Sequence, residues 1–176
     1  YGNSGTLFVD YTSITEQGIV STFRGFKTRI AYSGEAVKAI KASFNLELEG
    51  KEVICKVWDD EDNFIMSKTL MCNSSGRQTK LFIFDEVLTT TLVTTANMYI
   101  SIETVLTSGV KLHPGYVETT AYMTGDGTNP NYYVTDGSTS WASVGSGGFA
   151  GAFEFISESQ ITIGYPDAMF TQAITF

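Results

Sequence analysis

Apolar and polar residues alternate with a period of two along much of this chain. In Ala42-Ser43-Phe44-Asn45-Leu46-Glu47-Leu48-Glu49, Phe44, Leu46 and Leu48 share one face, and Ser43, Asn45, Glu47 and Glu49 share the other. That is the pattern of a strand with one side on a core. Residues 52–58 repeat it less strictly. Strand signals recur at 6–11, 18–23, 27–32, 37–48, 53–58, 64–71, 79–84, 98–106, 117–123, 132–134, 141–144, 149–156, 160–163 and 169–176. Turn signals separate them: Glu49-Gly50, Ser75-Gly76, Ser108-Gly109, Gly125-Asp126-Gly127 and Asp136-Gly137. The one stretch that would tolerate a helical turn is 33–41, where β-branched neighbours favour a strand soon after. This spacing predicts an all-β protein of two packed antiparallel sheets with under about 10% helix. The alternation also predicts a core containing Phe44, Leu46, Leu48, Val57, Ile100, Ile102, Phe153 and Phe155.

Residues 131–156, NYYVTDGSTSWASVGSGGFAGAFEFI, read as strand, Asp-Gly turn, strand, glycine-rich loop and strand. Tyr132, Tyr133, Trp141, Phe149, Phe153 and Phe155 supply large apolar surface between the turns. Together with the strand Met98-Tyr99-Ile100-Ser101-Ile102-Glu103, the TDGSTSW segment and its Gly-Phe-x-Gly-x-Phe continuation resemble the C-terminal half of cleaved-adhesin-type domains. These are carbohydrate-binding-module-like jelly rolls of secreted bacterial proteins. The upstream AVKAIKASFNLELEGKEVICKVWDDEDNFIMSKTL is similar to their first half, so the resemblance spans roughly residues 36–156. It implies a jelly-roll β-sandwich with an adhesive or sugar-binding role. Domains of that type often carry a structural calcium, so the cofactor expectation is none or one structural calcium ion, and the resemblance carries over no ligand residues.

At 176 residues the chain is long enough to bury a proper core, and no Pro-rich or charged linker divides it, so one domain over 1–176 is expected. Its 43% hydrophobic and 17% charged residues describe a folded protein. No apolar run is long enough to span a membrane as a helix. Because the chain begins at Tyr1, a processed product or an excised fragment is expected, with any signal peptide outside it.

The net charge of −8 argues against a nucleic-acid partner. All eleven Lys and Arg lie at or before Lys111, and Arg24, Lys27, Arg29, Lys38 and Lys41 crowd together. Beyond Lys111 stand only Glu118, Asp126, Asp136, Glu154, Glu158 and Asp167. Acidic loops of this kind keep a protein soluble and bind calcium weakly. A sharper reading is head-to-tail stacking of copies, basic surface on acidic surface.

Cys55 and Cys72 flank an evident hairpin closed over Asp59–Asn63. Cys55 then falls opposite a position near residue 67, five short of Cys72. A disulfide needs a bulge to restore register; the alternative is two small buried apolar residues.

The chain has one histidine, His113, in the turn-like Lys111-Leu112-His113-Pro114-Gly115, with no nucleophile system evident around it. Three His and Cys in all, poorly spaced, do not make a zinc site. Glu103, Glu118 and Glu154 are strand glutamates that could serve as a glycosidase carboxylate pair only if they faced one groove. Asp59, Asp60 and Asp62, with Asp126 farther on, are weak calcium candidates, although Phe64 and Leu70 stand where an EF-hand needs Gly and Glu. Tyr132, Tyr133 and Trp141 are the sugar-stacking candidates, with Asp136 to orient hydroxyls. Asn73-Ser74-Ser75 fits the glycosylation triplet, a pattern common by chance.

These features favour a non-enzymatic extracellular module that binds carbohydrate or a surface protein at a cell or virion surface. The alternative is a structural subunit of a filament, pilus-like fibre or phage appendage. Apolar strands at both ends support it, with Leu7, Val9, Phe170 and Ile174 as candidates for completing a neighbour's sheet. A glycoside hydrolase is the third and least supported reading.

Overall fold

The computed structural model describes residues 24–32, 34, 36–95, 97–104, 110, 112–114, 116–118, 132–135, 142–143, 149–151 and 153–164. Among the described residues twelve strands run in chain order: β1 Gly25–Ala31, β2 Val37–Leu46, β3 Lys51–Asp59, β4 Phe64–Cys72, β5 Gly76–Leu88, β6 Asn97–Thr104, β7 Leu112–Pro114, β8 Tyr116–Glu118, β9 Tyr132–Thr135, β10 Ala142–Ser143, β11 Phe149–Gly151 and β12 Phe153–Ser157. A short helix, α1, covers Glu158–Gly164. The protein is all-β, and every described strand pairing is antiparallel.

A six-stranded sheet has the order β10-β9-β1-β6-β3-β4, and a second sheet the order β12-β2-β5. β7 continues the β12 edge of the second sheet by pairing with the far end of β2. β8 and β11 form a separate two-stranded ladder. The chain passes repeatedly from one main sheet to the other, so neighbours in sequence such as β1 and β2 lie in different sheets.

The inner faces share one core. Phe26, Val53, Cys55, Val57, Met98, Ile100 and Ile102 come from the six-stranded sheet; Ile40, Phe44, Leu46, Phe82, Phe84, Phe153 and Phe155 come from the second. Phe26 stacks on Phe153 across the two, with ring centroids 5.8 Å apart. Burial of these side chains is the main stabilising term, about 1.5–3 kcal/mol for each large apolar residue.

Seven of the eight core positions expected from alternation are buried. Leu48 is the exception, 50% exposed. The strand stops at Leu46 and residues 47–50 bend, so Leu48 no longer shares the face of Phe44. Gly50 (φ 67°) and Gly76 (φ 84°) occupy two of the expected turns with the left-handed backbone that suits glycine.

Three local expectations are corrected. The tolerated helix at 33–41 is absent where that stretch is described, and residues 37–46 form β2, pinned on both edges by β5 and β12. Residues 160–163, expected as a strand, lie in α1. There Ser157 and Gln160 form a reciprocal cap: the Gln160 amide donates to Ser157 Oγ at 3.3 Å, and the Ser157 amide donates to Gln160 Oε1 at 2.9 Å. The turn-like segment at His113 contains β7, with His113 opposite Asn45.

The β3–β4 hairpin forms as expected. A bulge between Val57 and Trp58 shifts its register by a single position, leaving Cys55 opposite Lys68 and Cys72 opposite Lys51. The two cysteines are therefore free, and both are buried. Burial pushes both thiols above the ordinary cysteine range, Cys55 strongly and with help from the negative charge of Glu103.

Candidate functional site

The face of the six-stranded sheet turned away from the core is not a plain solvated surface. Three cross-strand rows run over β1, β6, β3 and β4. They read Gly25–Glu103–Ile54–Thr69, Lys27–Ser101–Lys56–Ser67 and Arg29–Tyr99–Trp58–Phe64. Alternation within β1 sends Lys27 and Arg29 to this side while Phe26 and Thr28 point to the core. Lys27 is nevertheless only 4% exposed and Glu103 only 3%.

Burial of charge on this scale requires partners. Lys27 Nζ pairs with Asp62, which is 67% exposed, and lies 4.8 Å from the Trp58 ring centroid and 4.7 Å from that of Tyr99. Such ammonium–ring contacts are worth about 0.5–2 kcal/mol each. Lys56 Nζ pairs with Glu103 Oε2 at 2.5 Å and lies 5.6 Å from Trp58. Trp58 Nε1 donates to Ser101 Oγ at 2.9 Å, and Ser101 Oγ donates to Glu103 Oε1 at 3.2 Å.

The hairpin tip completes the site. The Asp62 amide donates to the Asp59 carbonyl, and Asp62 then takes φ 65°, the left-handed step of a three-residue hairpin loop usually given to glycine. Asp59 closes the loop from inside: Oδ1 accepts from the amides of Glu61 and Asn63, and Oδ2 accepts from Asn63 Nδ2, all at 2.8 Å. Burial raises the Asp59 carboxyl, but those donors outweigh it and hold it below the usual range. Arg29 grips Asp60 with two bonds, Nε to Oδ1 at 2.7 Å and a terminal nitrogen to Oδ2 at 2.8 Å. These bonds and the Arg29 charge hold the Asp60 carboxyl low, with a longer bond from Asn97 assisting.

The weak calcium candidates Asp59, Asp60 and Asp62 are thus engaged by the turn, by Arg29 and by Lys27. Among the described residues no group of three His, Cys, Asp or Glu is placed to hold a metal ion. Asp126 lies outside the described residues, as do Trp141, Asp136, Leu7, Val9, Phe170 and Ile174. The backbones of Tyr132 and Tyr133 are in β9: Tyr133 stands opposite Lys27 and Ser143, in the same row as Ser101 and Lys56, and Tyr132 stands opposite Thr28.

No family model, curated protein or solved structure matches this chain.

The three strand glutamates lie in three different sheets. Glu103 is in the six-stranded sheet, Glu154 is in the second sheet 3.5 Å from Lys41, and Glu118 is in the β8–β11 ladder. The crowd of basic residues at 24–41 is likewise divided. Lys27 and Arg29 face acids on one sheet; Lys41 pairs with Glu154 and Lys38 donates to the Asp85 carbonyl on the other.

Nothing in the alternation of β3, β4 and β6 alone marks Trp58, Phe64 and Tyr99 as surface residues. The alternation of Lys27 and Arg29 in β1 is the sequence signal that this strand has a polar outer side. That signal does not contain the strand order, which sets β1 beside β6 and β6 beside β3.

Proposed function

We propose that this protein is a non-enzymatic β-sandwich module of jelly-roll type that binds carbohydrate at a cell or virion surface through the outer face of its six-stranded sheet. The observation that carries the reading is an aromatic group outside the core. Trp58 and Tyr99 are half-buried, Phe64 is 54% exposed, and Phe64 meets Trp58 edge to face at 5.7 Å. Aromatic faces pack against the C–H face of a pyranose, and nearby polar groups orient its hydroxyls.

The test is retention on immobilised polysaccharides together with reducing-end release. Retention without release supports the reading, and release of new reducing ends overturns it. Size-exclusion chromatography with light scattering separates it from the fibre subunit. A soluble monomer is expected, whereas large assemblies that disappear on removal of residues 169–176 would replace the binding module by a polymer built through terminal strands.

A further inference from the structure

Resting on the extracellular part of that reading, we infer that Asn73 is the acceptor for an N-linked glycan, carried at the end of the open edge of the six-stranded sheet. Of the asparagines in the chain, Asn73 alone is followed two residues on by Ser or Thr, and neither Ser74 nor Gly76 is a proline that would block the site. The triplet by itself is a frequent accident, and its place in the fold is what gives it weight. β4 ends at Cys72 and β5 begins at Gly76, so Asn73, Ser74 and Ser75 are the whole connection, and all three are exposed. Neighbouring residues hold the connection in place. Gly50 donates its amide to the Cys72 carbonyl at 2.8 Å, and Gln78 Nε2 donates to the Ser74 carbonyl at 2.9 Å. The Asn73 side-chain amide and the Ser75 hydroxyl stand outside these bonds, with no hydrogen-bond partner among the described residues.

The donor class is an oligosaccharide carried on a lipid pyrophosphate. Asn73 Nδ2 attacks its anomeric carbon: a C–N bond forms, and the C–O bond to the pyrophosphate breaks. The pyrophosphate leaves with that electron pair, and Nδ2 gives up one proton. A free amide on an exposed connection carries the product without displacing any bond of the fold. The sheet edge supplies a second, independent observation. β4 is the last strand of the six-stranded sheet, and among the described strands it pairs with β3 alone. It contains no Pro or Gly, and Phe64 and Met71, near its two ends, are each 54% exposed. A long open edge with exposed apolar side chains invites strand addition from another chain. A bulky hydrated group on the first residue beyond β4 obstructs that approach.

The full chain, secreted from a eukaryotic host, is compared with Asn73→Gln, Ser75→Ala and Ser75→Thr by intact mass before and after treatment with peptide N-glycosidase. The parent and Ser75→Thr are expected to carry an oligosaccharide that Asn73→Gln and Ser75→Ala lack, with all four melting alike once the glycan is removed. Tandem mass spectrometry should place the Asn-to-Asp conversion left by the enzyme at position 73. A parent secreted at its bare polypeptide mass, or an oligosaccharide that survives in Asn73→Gln, overturns the assignment. Light scattering tests the shielding of β4: the deglycosylated parent should self-associate at roughly ten-fold lower concentration than the glycosylated form. Equal association of the two forms overturns the shielding. Retention on polysaccharides is read on the same samples. A glycan without retention leaves Asn73 assigned and sinks the carbohydrate-binding reading, and retention by a chain that never receives a glycan does the reverse.

Discussion

The ammonium of Lys27 lies over the ring of Trp58, 4.8 Å from its centroid, on the side of the sheet that faces away from the core. Tyr99 flanks the same ammonium at 4.7 Å, and Asp62 pairs with it from the hairpin tip. One buried cation thus ties β1, β6, β3 and the β3–β4 loop together. Lys27→Met keeps the apolar stem and removes the charge. It should cost about 1–2 kcal/mol, from the lost ring and hydrogen-bonded contacts. Urea unfolding followed by tryptophan fluorescence measures it, and an unchanged midpoint would mean the contacts are cancelled by desolvation.

Phe44 is fully buried between the sheets, and Leu48, two turns of alternation on, is half exposed. Phe44→Ala should destabilise by about 3–5 kcal/mol, whereas Leu48→Ala should stay within about 0.5 kcal/mol. Equal losses from the two variants would place Leu48 back on the core face.

That pair also shows what is legible in the chain and what is not. The period of two in β2 and β6 is a property of neighbouring residues, so the strands and most of the core follow from it. Where a strand ends is decided by backbone geometry, and the apparent alternation of Leu46 and Leu48 runs straight through the bend at 47–50. Ile161 and Ile163 imitate a strand in the same way, while the capping pair Ser157 and Gln160, three residues apart, was the readable sign of a helix start. The candidate site is harder still. Lys27 and Asp62 are 35 residues apart, and their meeting depends on a sheet order fixed by non-local packing. Composition and motif could name the pieces of this face but not assemble them.

Cys55 and Cys72 miss each other by four positions in the hairpin register. Reducing agent should therefore leave the melting temperature unchanged. Ellman's reagent should find two thiols after denaturation and react slowly with the native protein, because burial disfavours both thiolates. One disulfide per chain on mass analysis of the oxidised protein would contradict this register.

Asp59, Asp60 and Asp62 are already held by protein partners, so calcium at the tip would have to break those bonds. Millimolar EDTA and millimolar calcium are each expected to leave the melting temperature of Asp60→Asn as far from that of the parent as it is without them. A calcium-dependent gap between the two proteins would locate an ion at the tip.

The Arg29–Asp60 pair should be visible in the acid limb of stability. Arg29 lowers the Asp60 carboxyl in the folded protein, so the folded state binds this proton less readily than the unfolded chain does. The pair's contribution is therefore complete above the unfolded carboxylate value, about pH 4, and disappears as pH falls from there through the lower folded value. Asp59, also lowered, adds to the same window from the bonds inside its turn. Arg29→Gln removes the main cause of the Asp60 shift. It should unfold more easily at neutral pH, and its stability should converge with that of the parent as the medium is acidified below about pH 4. Measured by urea unfolding in steps between neutral and strongly acid pH, a gap that stays constant across the range would show that Arg29 stabilises the sheet through packing alone and that its charge on Asp60 contributes nothing.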